Sequence, residues 1–327
     1  MNWWWKKHSF LKLFFLPLSC IYLLVIKYRD KLYKKKLLTS FQSPVPVIVV
    51  GNITVGGNGK TPFVIALVKY LTKHGYRPGI VSRGYGGKAK HYPQKVTGRS
   101  QVHETGDEPL LLMKQLGCPV YIDPVRPRAI QHLLNNEYVN IIVSDDGLQH
   151  YAMQRDIEIV MVDGERLFGN HCVLPAGPLR EPIVRLKHAD YVVSTGNIDN
   201  DWLTPWKMTL KPLYWVNCKN VSLTLPVDAF VNQTVDAIAS IGHPNRFFDQ
   251  LKKLGMQINC KAFADHYPFN DNDLHEFKGK KLVMTAKDAV KLMSCVEEDW
   301  WYLAIEPIIN EELLASINRL IQDIRLK

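Results

Sequence analysis

Residues Thr54 to Thr61, TVGGNGKT, gather three glycines, a lysine and two threonines into eight positions. This is a composition that suits a phosphate. Glycines let backbone N–H groups approach an anion closely, a following helix aims its positive end at it, and a lysine can bridge the outer phosphates. The expected nucleotide-binding loop is therefore Thr54, Val55, Gly56, Gly57, Asn58, Gly59, Lys60 and Thr61, with the Thr61 hydroxyl on Mg²⁺. One position departs from the GxxxxGK[ST] pattern: Thr54 stands where a glycine is expected. A glycine-rich turn is the competing reading. The apolar strand before the loop and the helix after it weigh against that.

Asn140 to His150, NIIVSDDGLQH, is an apolar strand ending in two adjacent carboxylates. In a phosphate-loop protein such a strand lies beside the loop and its terminal acid holds magnesium, so Asp145 or Asp146 is expected on the metal. Taken alone, the same acids would serve equally well as a turn with a helix N-cap. Two further polar clusters are weaker. Glu104 to Glu108, ETGDE, could be catalytic or could simply cap the helix that follows through Thr105 or Asp107. Phe263 to Tyr267, FADHY, sets a carboxylate beside an imidazole, and a lone histidine is more often structural than catalytic.

The elements that must position these groups follow from the hydrophobic pattern. Pro46 to Gly51 reads as a buried strand and Pro62 to His74 as a helix with Gly75 just past its end. Strand-like runs at 79–82, 119–122, 140–144, 157–162 and 191–194 alternate with helical segments, which implies a parallel sheet covered on both faces. Between about Asn197 and Val227 the pattern weakens around Pro205, Pro212 and Pro226, and a second alternation begins near Ala237. The expected architecture is an α/β chain in three parts: an N-terminal segment over 1–40, a P-loop NTPase-like lobe over 41–210 and a smaller α/β lobe over 211–327. Its final helix, from Glu311 to Ile324, is amphipathic and could pack back on the first lobe.

Charge is distributed unevenly. Nine Lys or Arg against one Asp fall within residues 1–36, so eight of the net +10 charges sit there. They surround Leu13 to Ile26, LFFLPLSCIYLLVI, preceded by Trp3, Trp4 and Trp5. Fourteen apolar residues are short of the ~20 that span a bilayer, and Pro17 should bend the helix. Tryptophans favour the headgroup level and lysines gain from anionic lipid, so an interfacial membrane anchor is expected, with a tilted span, a signal peptide and a buried helix as competing readings. Charge concentrated beside an apolar segment excludes a nucleic-acid-binding face as its explanation. Six cysteines without a CxxC pair argue against a zinc ribbon or a disulfide framework and suit a reducing compartment.

Taken together, TVGGNGKT, SRGYGG (Ser82 to Gly87), ETGDEP, SDDGLQH, LPAGPLREP (Leu174 to Pro182) and FADHYPF resemble the tetraacyldisaccharide 4′-kinase family, in the family's order and over roughly residues 45–290. The resemblance implies transfer of the γ-phosphoryl group of ATP, with Mg²⁺, to the 4′-hydroxyl of a lipid-bearing glucosamine disaccharide 1-phosphate. It places this reaction at the cytoplasmic face of a Gram-negative inner membrane, with the lipid-linked disaccharide and the anionic membrane surface as partners. A monomer and no nucleic-acid partner are expected. It also assigns Asp107 and His266 as a catalytic dyad. On physical grounds Lys60 and Arg180 are expected to neutralise charge, with Arg83 as a further candidate for phosphate or substrate contact. Thr285, Lys287 and Asp288 in TAKDAVKL resemble a family motif that has glutamate where Ala286 stands, for which a structural or nucleotide-adjacent role is expected. A membrane-bound ATPase of the partitioning type also carries GG-x-GK[ST]. It places a lysine directly before the two glycines, where this chain has Val55.

Overall fold

The structure, a computed structural model, describes residues 2–5, 10–196, 203–292 and 296–325. Along the chain come α1 (Leu11–Lys34), β1 (Val47–Gly51), α2 (Lys60–Lys73), β2 (Pro78–Ser82), β3 (Gln94–Lys95), α3 (Val102–Thr105), α4 (Asp107–Leu116), β4 (Val120–Ile122) and α5 (Arg126–Asn136). There follow β5 (Ile141–Asp145), β6 (Ile157–Asp163), β7 (Tyr191–Thr195), β8 (Lys207–Asn217), β9 (Thr224–Pro226), β10 (Thr234–Ala239) and α6 (Pro244–Lys253). The C-terminal part holds β11 (Gln257–Ala262), α7 (Asp271–His275), β12 (Leu282–Thr285), α8 (Ala286–Ala289), β13 (Trp300–Ile309) and α9 (Glu311–Arg325).

All of these strands join one sheet of 13 strands, in the order β11-β10-β12-β13-β8-β7-β6-β1-β5-β2-β4-β3, with β9 beside β8. Two parallel blocks are visible in it. From β4 to β8 every neighbour is parallel, as are β11, β10, β12 and β13, and the antiparallel pair β8 and β13 joins the blocks. The sequence expectation of a parallel sheet with helices on both faces holds. In β1, Ile48 and Val50 enter one core with Phe63, Leu67 and Leu71 of α2, while Val47 and Val49 enter the other with Ala129, Ile130 and Leu133 of α5. Alternate side chains of a strand point to opposite faces, so a run of apolar residues on both is what a two-sided sheet requires. Each fully buried Leu or Phe there contributes roughly 1.5–3 kcal/mol.

Two segments are more regular than their sequence pattern. The weakly patterned stretch between residues 197 and 227 contains the eleven-residue strand β8. Proline obscured it: Pro212 pairs with Ile305 next to a register shift between Ala304 and Ile305, where a residue without an N–H costs little. The N-terminal helix is also longer than its apolar run, continuing for 24 residues with Pro17 inside it. No helix among the described residues is long and apolar enough to cross a membrane.

Helix α1 lies against the first parallel block. Tyr22 and Leu23 pack on its core, and Ser19 is buried. The opposite side of α1 exposes Leu13, Phe14, Leu18, Ile21, Leu24, Val25 and Tyr28. At the other terminus, Leu313, Ile317 and Ile321 of α9 enter the core of α2, and the Tyr76 hydroxyl donates to Asn318 Oδ1 at 2.8 Å.

Candidate active site

The loop from Thr54 to Thr61 connects the C-terminal end of β1 to α2, as its composition requires. Gly59 holds the left-handed conformation at φ 76°, and a Cβ there would meet Met208 Cε and Thr195 Cγ2 at 2.9 Å, so only glycine fits. Lys60 and Thr61 open the helix and are buried. Thr54, the departure from the glycine pattern, is also explained. Its hydroxyl accepts from the Asn58 side-chain amide at 2.6 Å, and its backbone pairs with Leu179. The threonine thus ties the loop to itself where the more usual glycine would make no such bond.

The two carboxylates at the end of β5 have different surroundings. Asp146, at φ 50°, receives Arg180 Nη1 at 3.1 Å and Lys60 Nζ at 3.5 Å. Burial alone would raise its carboxyl, but the Lys60 and Arg180 charges hold it well below the usual carboxylate range. Asp145 is completely buried, and among the described residues neither of its oxygens has a hydrogen-bond partner. Burial pushes its carboxyl up, and the nearby Glu108 and Asp146 charges add to this. An unsatisfied buried carboxylate at a strand end, beside a phosphate loop with a threonine at the start of its helix, is the donor chemistry a hard divalent cation takes. Asp145, with Asp146 and Thr61, therefore fits the Mg²⁺ site expected from the sequence. Arg126, fully buried at the start of α5, faces the same two carboxylates; burial lowers it to about 10, against their opposing charges.

Asp107 and His266, 159 positions apart, meet. The imidazole Nδ1 lies 2.8 Å from Asp107 Oδ1 and 3.0 Å from Oδ2. Asp107 is the first residue of α4 and is 2% exposed, while His266 follows β11 with its backbone in the left-handed region at φ 58°. A non-glycine residue in that region is uncommon and tends to mark a functional constraint. Burial raises the Asp107 carboxyl, yet the hydrogen bond with His266 and the charges of Lys287 and Lys291 outweigh it and bring it to about 2. Both residues line a cavity of about 500 Å³ together with Tyr85, Tyr267, Phe269 and Lys291.

Two loops bind the site together. Residues 172–181 pass between α1 and the phosphate loop: Val55 N donates to the Pro178 carbonyl at 2.8 Å and Arg180 N to the Ile53 carbonyl at 2.7 Å. On the other side, the turn after β10 lies against the phosphate loop so closely that a Cβ on Gly242 would be 2.5 Å from Gly57 N. Arg166 Nη1 donates to the Gly242 carbonyl at 3.1 Å, and Arg246 Nη2 is 2.9 Å from Asp163 Oδ1 and 2.8 Å from Glu165 Oε2.

The expected site residues thus fall into two groups: Lys60, Asp145, Asp146 and Arg180 around the phosphate loop, and Asp107 with His266 at the cavity. Glu108 connects the groups, since its charge reaches Asp145 while its carboxylate accepts from Lys287 at 3.1 Å. Arg83 is exposed. Arg126, Gly242 and Lys291 were not read from the sequence as site residues, and Glu108 was not ranked apart from its neighbours in ETGDE. The signal available for Lys291 was its place in TAKDAVKL, four residues after Lys287.

Comparison with known proteins gives the same picture. The chain matches the family described as tetraacyldisaccharide-1-P 4′-kinase over residues 11–322. It is 44% identical over 323 residues to the tetraacyldisaccharide 4′-kinase of Tolumonas auensis, covering 98% of this chain and 97% of that protein. The corresponding enzyme of Aeromonas hydrophila is 45% identical over 303 residues, covering 92% and 90%. The crystal structure of LpxK from Aquifex aeolicus in complex with ATP superimposes with a TM-score of 0.79 at 30% identity, covering 95% of this chain and 99% of that one. With motifs, fold and relatives in agreement over nearly its whole length, the chain belongs to the tetraacyldisaccharide 4′-kinase family.

Proposed function

We propose that this chain transfers the γ-phosphoryl group of ATP to the 4′-hydroxyl of a tetraacyl glucosamine disaccharide 1-phosphate, in lipid A assembly, with Asp107 taking the hydroxyl proton. The observation that carries this reading is the contact of Asp107 with His266 at 2.8 Å, on a cavity whose neighbour Glu108 reaches the phosphate site. In the reaction the sugar oxygen bonds to the γ-phosphorus, the bond from that phosphorus to the β-bridging oxygen breaks, and ADP leaves. The proton passes to Asp107. A carboxyl near pKa about 2 is a weak base, so the proton moves late, and most of the rate enhancement comes from positioning and charge neutralisation.

Lys60 and Arg180 hold charge of the right sign where the outer phosphates would lie, and the glycine-lined loop offers its N–H groups. Mg²⁺, held by Asp145, Asp146 and Thr61, would neutralise charge on the β- and γ-phosphates. The division into a lobe over 41–210 and a second over 211–327 takes its support from the two parallel blocks that meet at the antiparallel β8 and β13 pair, with β8 itself crossing from one lobe to the other. On that division Asp107 and His266 come from different lobes, and the disaccharide headgroup lies between them.

The exposed apolar side of α1, flanked by Lys27, Arg29, Lys31 and Lys34, supports an interfacial seat on anionic lipid at the cytoplasmic face of the bacterial inner membrane. That seat would bring the enzyme to an insoluble acceptor.

The test is labelled ATP with a detergent-dispersed acylated disaccharide. Wild-type protein yields labelled lipid, while Asp107→Ala and His266→Ala lose kcat by at least about a hundredfold with little change in the KM for ATP. Near-wild-type turnover in either variant removes the dyad from the reaction.

A further inference from the structure

The dyad has a third member on its far side. Lys287, the second residue of α8, places its Nζ 3.3 Å from His266 Nε2, the ring nitrogen that Asp107 does not use. The same ammonium lies 3.1 Å from Glu108 Oε1, 3.7 Å from Asp265 Oδ1 and 3.8 Å from Asp107 Oδ2. Three carboxylates around this half-buried ammonium keep it charged, since its deprotonation would leave them repelling one another with no cation between them. An ammonium has donors and no acceptor, so the nitrogen opposite it must present its lone pair.

The groups facing the imidazole from every packed element agree. Asp107 of α4 accepts at Nδ1, the Tyr85 ring approaches edge-on at 5.0 Å between centroids, and Asp265 Oδ1 is 3.7 Å from Nε2, too far for a hydrogen bond. Lys291 faces Asp107 Oδ2 at 3.4 Å and is anchored on Asp288 and the Ser240 hydroxyl. Among the described residues, Nδ1 alone of the two ring nitrogens has an acceptor within hydrogen-bond reach, and Nε2 alone has a donor.

We infer that Lys287 is a positioning residue that donates to His266 Nε2, fixes the ring as the Nδ1–H tautomer aimed at Asp107, and thereby leaves the Asp107 carboxylate as the proton acceptor for the sugar hydroxyl. This rests on the kinase reading of the dyad. It gives Lys287 a role in the geometry of proton transfer, in addition to its ion pairs. It also accounts for the direction of the histidine: with Nε2 occupied by an ammonium, the imidazole cannot take the substrate proton itself and acts only through Asp107.

The experiment is nitrogen NMR on full-length protein carrying ¹⁵N-labelled histidine, with the His266 signals identified by their loss in His266→Gln. Wild-type protein should show a protonated Nδ1 and an unprotonated Nε2 at neutral pH. In Lys287→Met the preference for Nδ1–H should be lost and kcat should fall at least tenfold, with the KM for ATP unchanged. Lys287→Arg, which keeps a donor, should restore the tautomer in part. A wild-type His266 protonated at Nε2 alone overturns the inference without any variant, so poor folding of Lys287→Met cannot shelter it. An unchanged tautomer in folded Lys287→Met overturns it as well. Because the tautomer is read without turnover, its failure is distinct from failure of the kinase reading, which would appear as retained activity in Asp107→Ala.

Discussion

The hydroxyl of Tyr22, on the N-terminal helix, donates to the backbone carbonyl of Arg180 at 3.0 Å, and the Arg180 guanidinium holds Asp146 beside Lys60. Two hydrogen-bonded steps thus separate helix α1 from the phosphate site. Ser19 strengthens the connection, since its Oγ donates to the Val173 carbonyl and accepts from Ala176 N, both at 2.9 Å. Trp4 Nε1 adds a bond to the Pro175 carbonyl at 3.0 Å. The helix therefore braces the loop that carries Arg180 from the side opposite the phosphate loop.

Tyr22→Phe and Ser19→Ala each remove bonds worth about 0.5–1.5 kcal/mol, so kcat should fall roughly two- to tenfold if Arg180 loses its position. Binding to anionic vesicles should not change, because both side chains face the protein. Sedimentation with vesicles beside steady-state assays separates the two effects. Weaker vesicle binding with unchanged kcat would mean that the helix serves attachment alone.

Asp107 makes acid stability a measure of its surroundings. Its carboxyl is about 2 in the folded protein against 3.8 for the free group, so the ionised form is favoured by folding. The stabilisation is present above pH 3.8 and is lost as pH falls through about 2. Its size is roughly 2 kcal/mol. Urea unfolding of wild type and Asp107→Asn should differ by about that amount near neutral pH and converge on acidification through this window; a gap that persists unchanged would contradict the hydrogen bond with His266 and the ion pairing with Lys287 and Lys291 as its source.

Gly242→Ala should disturb nucleotide binding. The added Cβ would fall 2.5 Å from Gly57 N, a backbone atom of the phosphate loop, and neither side has a flexible side chain to yield. The loop or the turn after β10 must shift. Affinity for ATP, measured calorimetrically, should drop by roughly tenfold or more, about 1.4 kcal/mol. Equal affinity in the two proteins would show that the contact opens when nucleotide enters.

Asp145→Asn should abolish the stabilising effect of Mg²⁺. A cation that binds only the folded state raises stability by mass action, and Asp145 is the buried carboxylate with two free oxygens. Thermal unfolding of wild-type protein with ATP should therefore rise on addition of Mg²⁺, whereas the variant should respond to ATP alone. A full Mg²⁺ shift in the variant would move the metal to Asp146.

The phosphate loop, the paired acids at the end of β5 and the apolar basic N-terminus were legible in the residues themselves, because each works through neighbours in the chain. Strand, glycine turn and helix follow one another within residues 47–73, so composition and periodicity suffice to place them. The same reasoning missed β8, where prolines break the pattern that a long antiparallel partner restores. It could name Asp107 and His266 only through resemblance, since residues 159 positions apart carry no local sign of contact. Which acid would be left without partners, which would lie between two cations, and which nitrogen of His266 would face Lys287 were decided by the tertiary structure alone. Burial and Coulomb interaction depend on distance in space, and the packing of α4, α8 and the turn after β11 on a shared sheet sets those distances.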